Sequence, residues 1–328
     1  MSNLRTSLDI LQDMLFHSGE VTNASSDYYE PGLQYLNRVY QEICSGGSAV
    51  DTDCGRPWWW LRKSTPGVIT LQPGITSLKA TINAGSTELT WDVAPTDWLG
   101  NKISVVGYFF YVDSDNGDIY RITTHTAAQN VALIDQPYTG ASQVASACHL
   151  IKFQYSLASD CKSIVGRMRA YQDNRDFIDM TDLDPMRTQF PLRTRPTGMP
   201  ILFAMVGEQT VEFSHYIGDT VTSGARVEYD YLVIPNDLAD DGVSQPLLPF
   251  QYRAMLSDYG TAFILTDKDD NKAATFLASA QGRLQAMVKE HDRRMSQASN
   301  NFGKIMPRQR DLRRYDAPLR TQSGLIIG

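Results

Sequence analysis

Residues 78–91 read LKATINAGSTELTW, and the alternation on either side of the central turn decides the fold class. In 78–82 and again in 88–91 an apolar side chain falls at every second position, the period of a strand with one buried face. Between them, Asn83-Ala84-Gly85-Ser86 supplies residues that tolerate the positive φ a tight hairpin needs. Similar short runs lie to both sides, at 67–71, 102–106, 108–112, 119–124 and 131–134, with a second turn cluster at Asp115-Asn116-Gly117-Asp118. Residues 58–153 therefore read as a compact all-β module inserted between helices.

Working outward, residues 1–57 carry helical spacing. Leu4, Leu8, Leu11 and Leu15 recur at intervals of three and four up to Ser18-Gly19. A second helix begins near Asp27, with Pro31 near its first turn, a stripe of Leu33, Leu36, Val39, Tyr40 and Ile43, and a stop at Ser45-Gly46-Gly47. On the far side of the module, residues 154–200 are expected to hold a middle helix over 157–170, because Leu157, Cys161, Ile164, Val165 and Met168 can share a face. An extended linker punctuated by Pro185, Pro191, Pro196 and Pro200 then follows. Residues 201–248 read as a second antiparallel β section, a meander of strands at 201–206, 210–214 and 225–231 closed by Pro235-Asn236-Asp237. Residues 249–303 return to helix, at 251–265 and 268–299, with the carboxylates of 267–270 capping the longer one. Residues 304–328 form an extended basic tail. The expected class is α+β: a helical body with an inserted all-β module, a second β section and the tail.

Composition narrows function. A net charge of −7 argues against a surface that wraps nucleic acid throughout, and is compatible with a lining that DNA slides past. The 16 Tyr and 5 Trp favour sheet and protein contact surfaces. Cys44, Cys54, Cys148 and Cys161 are far apart, and the five histidines add no ligand motif, so reduced cysteines and no metal site are expected. Residues 1–10 show no apolar leader and no apolar run reaches membrane-spanning length, so synthesis in a cytosol is expected.

Asp113, Asp115 and Asp118 resemble a calcium loop only superficially. Asp118 and Thr124 stand where an EF-hand needs Gly and a bidentate Glu, so a hairpin turn is the expectation. No nucleophile elbow, phosphate loop, zinc-protease or dinucleotide motif is present, and neither an enzyme nor a cofactor is expected. Trp58-Trp59-Trp60 cannot all face one core, since neighbouring side chains point apart. Core packing, a subunit interface and ligand stacking are the readings open to them, with all three carried forward as interface aromatics. In the tail, Arg308, Arg310, Arg313, Arg314, Tyr315 and Arg320 interleave with apolar residues and close on Leu325, Ile326 and Ile327. A solvated end, a nucleic-acid arm and an arm docking on a protein are the alternatives, and the apolar close favours the last.

Three short segments carry a resemblance. Gly85-Ser86-Thr87, Ile119-Tyr120-Arg121-Ile122 and Leu133-Ile134-Asp135-Gln136-Pro137-Tyr138-Thr139-Gly140 stand in the order of the β module of head-to-tail adaptor (connector) proteins of tailed bacteriophages, which the chain resembles. Arg195-Pro196, the run from Val227 to Pro235, and Pro246-Leu247-Leu248-Pro249 before a helix pair extend the likeness. The resemblance implies a homo-oligomeric ring of about twelve subunits, a dodecamer, below the portal protein. It implies a virion neck component assembled in the host cytoplasm, with the tail docked on the portal. Downstream nozzle or fibre proteins would meet the β module, and DNA would pass through the channel without sequence-specific binding. No membrane contact is implied. A tail or baseplate protein whose β module binds a fibre or surface carbohydrate is the alternative, with a particle-associated hydrolase behind it.

Overall fold

The computed structural model describes residues 4–45, 58–97, 99–115, 118–171, 177–218 and 225–305, with side chains described as far as 295. The chain is α+β and divides into two units, one formed by residues 1–61 and 235–328, the other by residues 62–234.

Helix α1 (Ser7–His17) starts at a capping box, in which the Asp9 N–H donates to Thr6 Oγ1 at 3.1 Å and the Thr6 N–H to Asp9 Oδ2 at 2.9 Å. Helix α2 (Tyr29–Ser45) buries Leu36, Val39, Tyr40 and Ile43 of the stripe expected of it, while Leu33 is half-buried. A 3-10 turn at Trp59–Leu61 ends the first chain segment of this unit.

The second unit follows. Its strands are β1 (Gly67–Thr70), β2 (Lys79–Ile82), β3 (Glu88–Trp91), β4 (Phe109–Val112), β5 (Tyr120–His125), β6 (Val131–Ile134), β7 (Gln143–Ile151) and β8 (Gln154–Ser156). Next come β9 (Cys161–Ile164), β10 (Met168–Tyr171), β11 (Phe177–Met180), helix α3 (Leu183–Gln189), β12 (Leu202–Met205), β13 (Thr210–Phe213), β14 (Arg226–Tyr229) and β15 (Tyr231–Val233). Strands β2 to β7 close into a barrel in the order β2-β3-β6-β5-β4-β7. Inward positions alternate as the pattern requires, Ala80 and Ile82, then Leu89 and Trp91, then Ala132 and Ile134 all being buried. A seven-stranded sheet runs β1-β14-β10-β11-β12-β13-β8, and β9 pairs with β15 separately.

The chain then returns to the helical unit with α4 (Ala254–Asp267) and α5 (Ala273–Ile305). Helix α4 is buried on nearly every side, including Met255, Leu256, Tyr259, Ile264 and Leu265, which makes it the centre of that unit. It lies close to α1 at Gly260, where a Cβ would meet the Met14 side chain, and Ser257 Oγ donates to Asp13 Oδ2 at 2.7 Å.

Several sequence expectations change. The middle helix over 157–170 is absent: that stretch holds the end of the β8 region, β9 and β10. Its three-to-four spacing is real, but pairing of β9 with β15 and of β10 with β14 buries Cys161, Met168 and Ala170 without a helix, and Gly166 turns at φ 76°. The extended linker at 173–200 contains β11 and α3. Residues 67–71 belong to the seven-stranded sheet and not to the inserted module, because β1 pairs with β14; the barrel is inserted into that sheet. The second β section is not a meander, since β14 joins β1 and β10, not β13. Residues 102–106 form no strand, only a single bridge from Lys102 to Thr96. At the start of α5 only Asp270 serves the expected cap, accepting the Lys272 N–H at 2.9 Å, while Asp267 closes α4.

The unit 62–234 is pinned by a buried charge cluster. Glu212 on β13 and the Arg195 side chain are fully buried and meet at 2.7 Å. Arg187 of α3 adds a second contact at 2.7 Å and Gln154 of β8 a third at 2.8 Å. Arg195 also donates to the Phe213 carbonyl at 2.7 Å and lies 4.1 Å over the Phe153 ring. Burial alone would raise the Glu212 carboxyl, but the bonds from Arg187, Gln154 and Arg195 outweigh it and hold the group below its ordinary value of 4.5. Burial pulls the Arg195 guanidinium downward, yet it stays charged at any physiological pH. Because the Glu212 value is depressed on folding, its stabilising contribution is present above pH 4.5 and lost as pH falls below it. Arg195→Met should cost about 3–5 kcal/mol in denaturant unfolding, since it leaves a buried carboxylate under-compensated. In Glu212→Gln the stability difference between neutral and acid pH should shrink, measured in the same way.

Candidate functional site

Two of the three consecutive tryptophans, Trp58 and Trp59, meet one histidine of α5, and the third stacks on Trp58. A 3-10 turn rotates successive side chains by about 120°, which lets neighbours approach a common partner from different sides. Trp58 is fully buried, and its indole N–H donates to the Ile43 carbonyl at 2.7 Å. Its ring stacks on Trp60 with centroids 6.0 Å apart and meets His291 edge-on at 5.4 Å. Trp59 stacks on His291 from another side at 5.9 Å, and the Arg294 guanidinium lies 4.8 Å over Trp59. Arg294 and Arg293 also converge on Glu290, at 2.7 and 2.8 Å, and their hydrogen bonds, Arg293 first, push its carboxyl down to about 2. Trp58 thus offers no surface to a neighbour, which corrects the interface expectation for that residue. Trp59 and Trp60 keep partial exposure. The tail residues Arg308, Arg310, Arg313, Arg314, Tyr315, Arg320, Leu325, Ile326 and Ile327 lie outside the described residues, as does Cys54.

In the β unit, the three short segments quoted above meet at one end of the barrel. The Gly85 N–H donates to the Tyr138 carbonyl at 2.8 Å, and the Tyr138 N–H to the Ser86 carbonyl at 2.9 Å. The Arg121 N–H donates to Asp135 Oδ1 at 3.0 Å and the Asp135 N–H to the Arg121 carbonyl at 2.9 Å. Tyr120 Oη lies 2.7 Å from Thr139 Oγ1 and accepts the Thr139 N–H at 2.9 Å. Gly85 turns at φ 76°, the region that glycine enters without strain. Each motif is therefore a set of clips holding the β2–β3 turn, β5 and the 135–140 loop together. Their spacing in the sequence gives no sign of this, because the partners are up to about fifty residues apart.

The remaining reactive side chains are scattered. Asp113 pairs with His149 at 2.7 Å, His149 stacks on Tyr111 at 4.8 Å, and Arg193 lies 5.2 Å over Tyr111. Asp118 accepts from Thr139 at 2.8 Å, and Arg193 donates to the Val112 carbonyl at 2.9 Å and to the Asp115 carbonyl. These aspartates are directed to different partners, and among the described residues no group of three His, Cys, Asp or Glu side chains could hold a metal ion. Ser214 lies 2.9 Å from His215 Nδ1, but its buried hydroxyl accepts the Ile201 and Leu202 N–H groups, a clip between β12 and β13 with no open face for a substrate. Burial, with Arg195 nearby, lowers the His215 imidazole. Burial pushes the Cys148 thiol up to about 12 and Cys161 to about 11, so neither supplies thiolate near neutrality.

Apolar side chains on the outside of the barrel are the feature with most capacity for contact. Val131 and Leu133 face outward from β6, and Val144 on β7 is 78% exposed. Strand β7, nine residues long, lacks a strong sequence signal because its first half is Ala- and Ser-rich and mostly exposed, with Ala145 at φ 48°.

No protein-family model matches the chain, and no curated protein matches it.

Replacing Trp58 by Ala should destabilise the chain by about 3–5 kcal/mol, as expected for a fully buried indole, whereas Trp59→Ala should cost markedly less. Thermal and denaturant unfolding of the two variants measure the difference.

Proposed function

We propose that the chain is a structural subunit of a tailed-phage neck, an adaptor that forms a ring on the portal protein and joins it to the tail. The observation that carries the reading is the convergence of the 85–87, 119–122 and 133–140 segments at one end of a closed barrel. The segments that suggested the adaptor likeness lie together as one local structure, which is what supports the reading. The helical unit, assembled from both ends of the chain around α4, would supply the ring body. The barrel would carry the docking surface for nozzle or fibre proteins through outward residues such as Val131, Leu133 and Val144.

In this reading the helix α5 leads the chain toward residues 306–328, whose arginines and apolar close would engage the portal. Half-buried Trp60 and Trp59, the latter under Arg294, would contribute at the junction of subunits. The chain would act by geometry and carry out no reaction. DNA would cross the ring's channel, and the net charge of −7 would limit its retention.

A second reading, a tail or baseplate protein, draws on the same exposed barrel residues, which could meet a fibre or a surface carbohydrate. A particle-associated hydrolase would need a carboxylate pair on the barrel, and the pairings of Asp113 and Asp118 with His149 and Thr139 do not favour it.

Deleting residues 307–328 should leave the melting temperature of the chain within a few degrees and abolish co-sedimentation with purified portal. Retained binding by the truncated chain would contradict the portal-docking role of the tail.

A further inference from the structure

The two edges of the seven-stranded sheet line one cleft. Among the described residues, strand β1 pairs with β14 alone and β8 with β13 alone, so neither edge is paired across the cleft. The Leu71 N–H donates to the Ala225 carbonyl at 2.8 Å, so by antiparallel alternation the backbone groups of Ile69 face β14 while those of Val68 and Thr70 point away. On the opposite edge, the Phe213 N–H donates to the Phe153 carbonyl and the Leu157 N–H to the Gln209 carbonyl, both at 2.8 Å. Tyr155 therefore faces β13, and the backbones of Gln154 and Ser156 point away. The space between holds about 430 Å3, within the usual range of a ligand cleft. Tyr155 spans its inner wall, where its hydroxyl accepts the Gln72 N–H at 2.8 Å.

The cleft is cationic. Lys152 and Arg121 both line it, and the residues that line it include no Asp or Glu. The Lys152 ammonium rests against the rings of Tyr108 and Tyr155, 5.2 and 5.3 Å from their centroids. Burial and then Arg121 lower its pKa, the state of a charge that an added anion would relieve. On β1, Val68 is 52% exposed, an apolar side chain on an open edge, which folded proteins otherwise cover or blunt.

We infer that this cleft receives an extended acidic segment of a partner protein, which adds to the sheet as a strand along β1 and sets a carboxylate beside Lys152 and Arg121. Backbone pairing with Val68 and Thr70 would supply affinity, and the two cations would select the sign of the charge. The chain's own residues 306–328 are a poor match, since they carry five arginines against two aspartates. The inference stands on the cleft alone and is independent of the ring reading.

The test uses the full chain and a blocked peptide of sequence Thr-Val-Glu-Val-Glu-Val-Thr, with its Glu-to-Lys counterpart and an N-methylated form as controls. Residue-level amide hydrogen exchange should show slowed exchange at Val68 and Thr70 with the acidic peptide only. Arg121→Glu, at an exposed side chain that leaves the fold intact, should weaken binding about tenfold or more, equivalent to about 1.4 kcal/mol. Lys152→Gln should weaken it in the same direction. Equal binding of the acidic and basic peptides, or unchanged exchange at Val68 and Thr70, would overturn the inference. So would displacement of the peptide by millimolar acetate or inorganic phosphate, which would mark a small-anion site.

Discussion

The fully buried Glu212 carboxylate is the constraint on which the β unit depends. A carboxylate removed from water is costly unless its charge and lone pairs are met, and here two guanidinium groups and an amide converge on it. Those partners come from β8, from α3 and from the segment after α3, so one charge on β13 ties together three separate pieces of the chain that follows the barrel. Arg195 extends the tie through Phe153, which stacks on Phe109 of β4 with centroids 4.3 Å apart. Close by, Arg193 reaches the carbonyls of Val112 and Asp115 at the end of β4. Arg193 and Arg195, two residues apart, thus both reach toward the barrel, one directly and one through Phe153.

That dependence explains which parts of the fold were legible. The hairpin at 78–91 and the stripes of α1 and α2 follow from local periodicity, because each buries one face in a way its own residues announce. The stretch 157–170 does not. Leu157, Cys161, Ile164 and Met168 satisfy helical spacing, yet the last three lie on β9 and β10, which pair with β15 and β14 more than fifty residues later. The same distance hides the true place of residues 67–71, whose partner is β14. Long-range pairing of this kind leaves little trace in a single window.

The candidate sites divide in a similar way. The tryptophan run was conspicuous in composition, but its partner, His291, lies in the last helix and could not be named from the run itself. The consequence is specific: Trp58 is a core residue of the helical unit, and only Trp59 and Trp60 retain surface. The short barrel motifs were visible as spellings, and their physical meaning, a set of reciprocal backbone and side-chain bonds, emerges only in three dimensions. The cationic cleft had no linear signal at all, since Arg121 lies on β5, Lys152 in the link between β7 and β8, and the two sheet edges flank an insertion.

The function we propose is that of a geometric connector, in which the helical unit would build a ring and the barrel would present a docking surface. Electron microscopy of the purified chain mixed with purified portal protein tests it most directly. The account predicts closed rings of the chain seated coaxially on the portal. Particles in which the portal remains bare while the chain stays monomeric at micromolar concentration would contradict it.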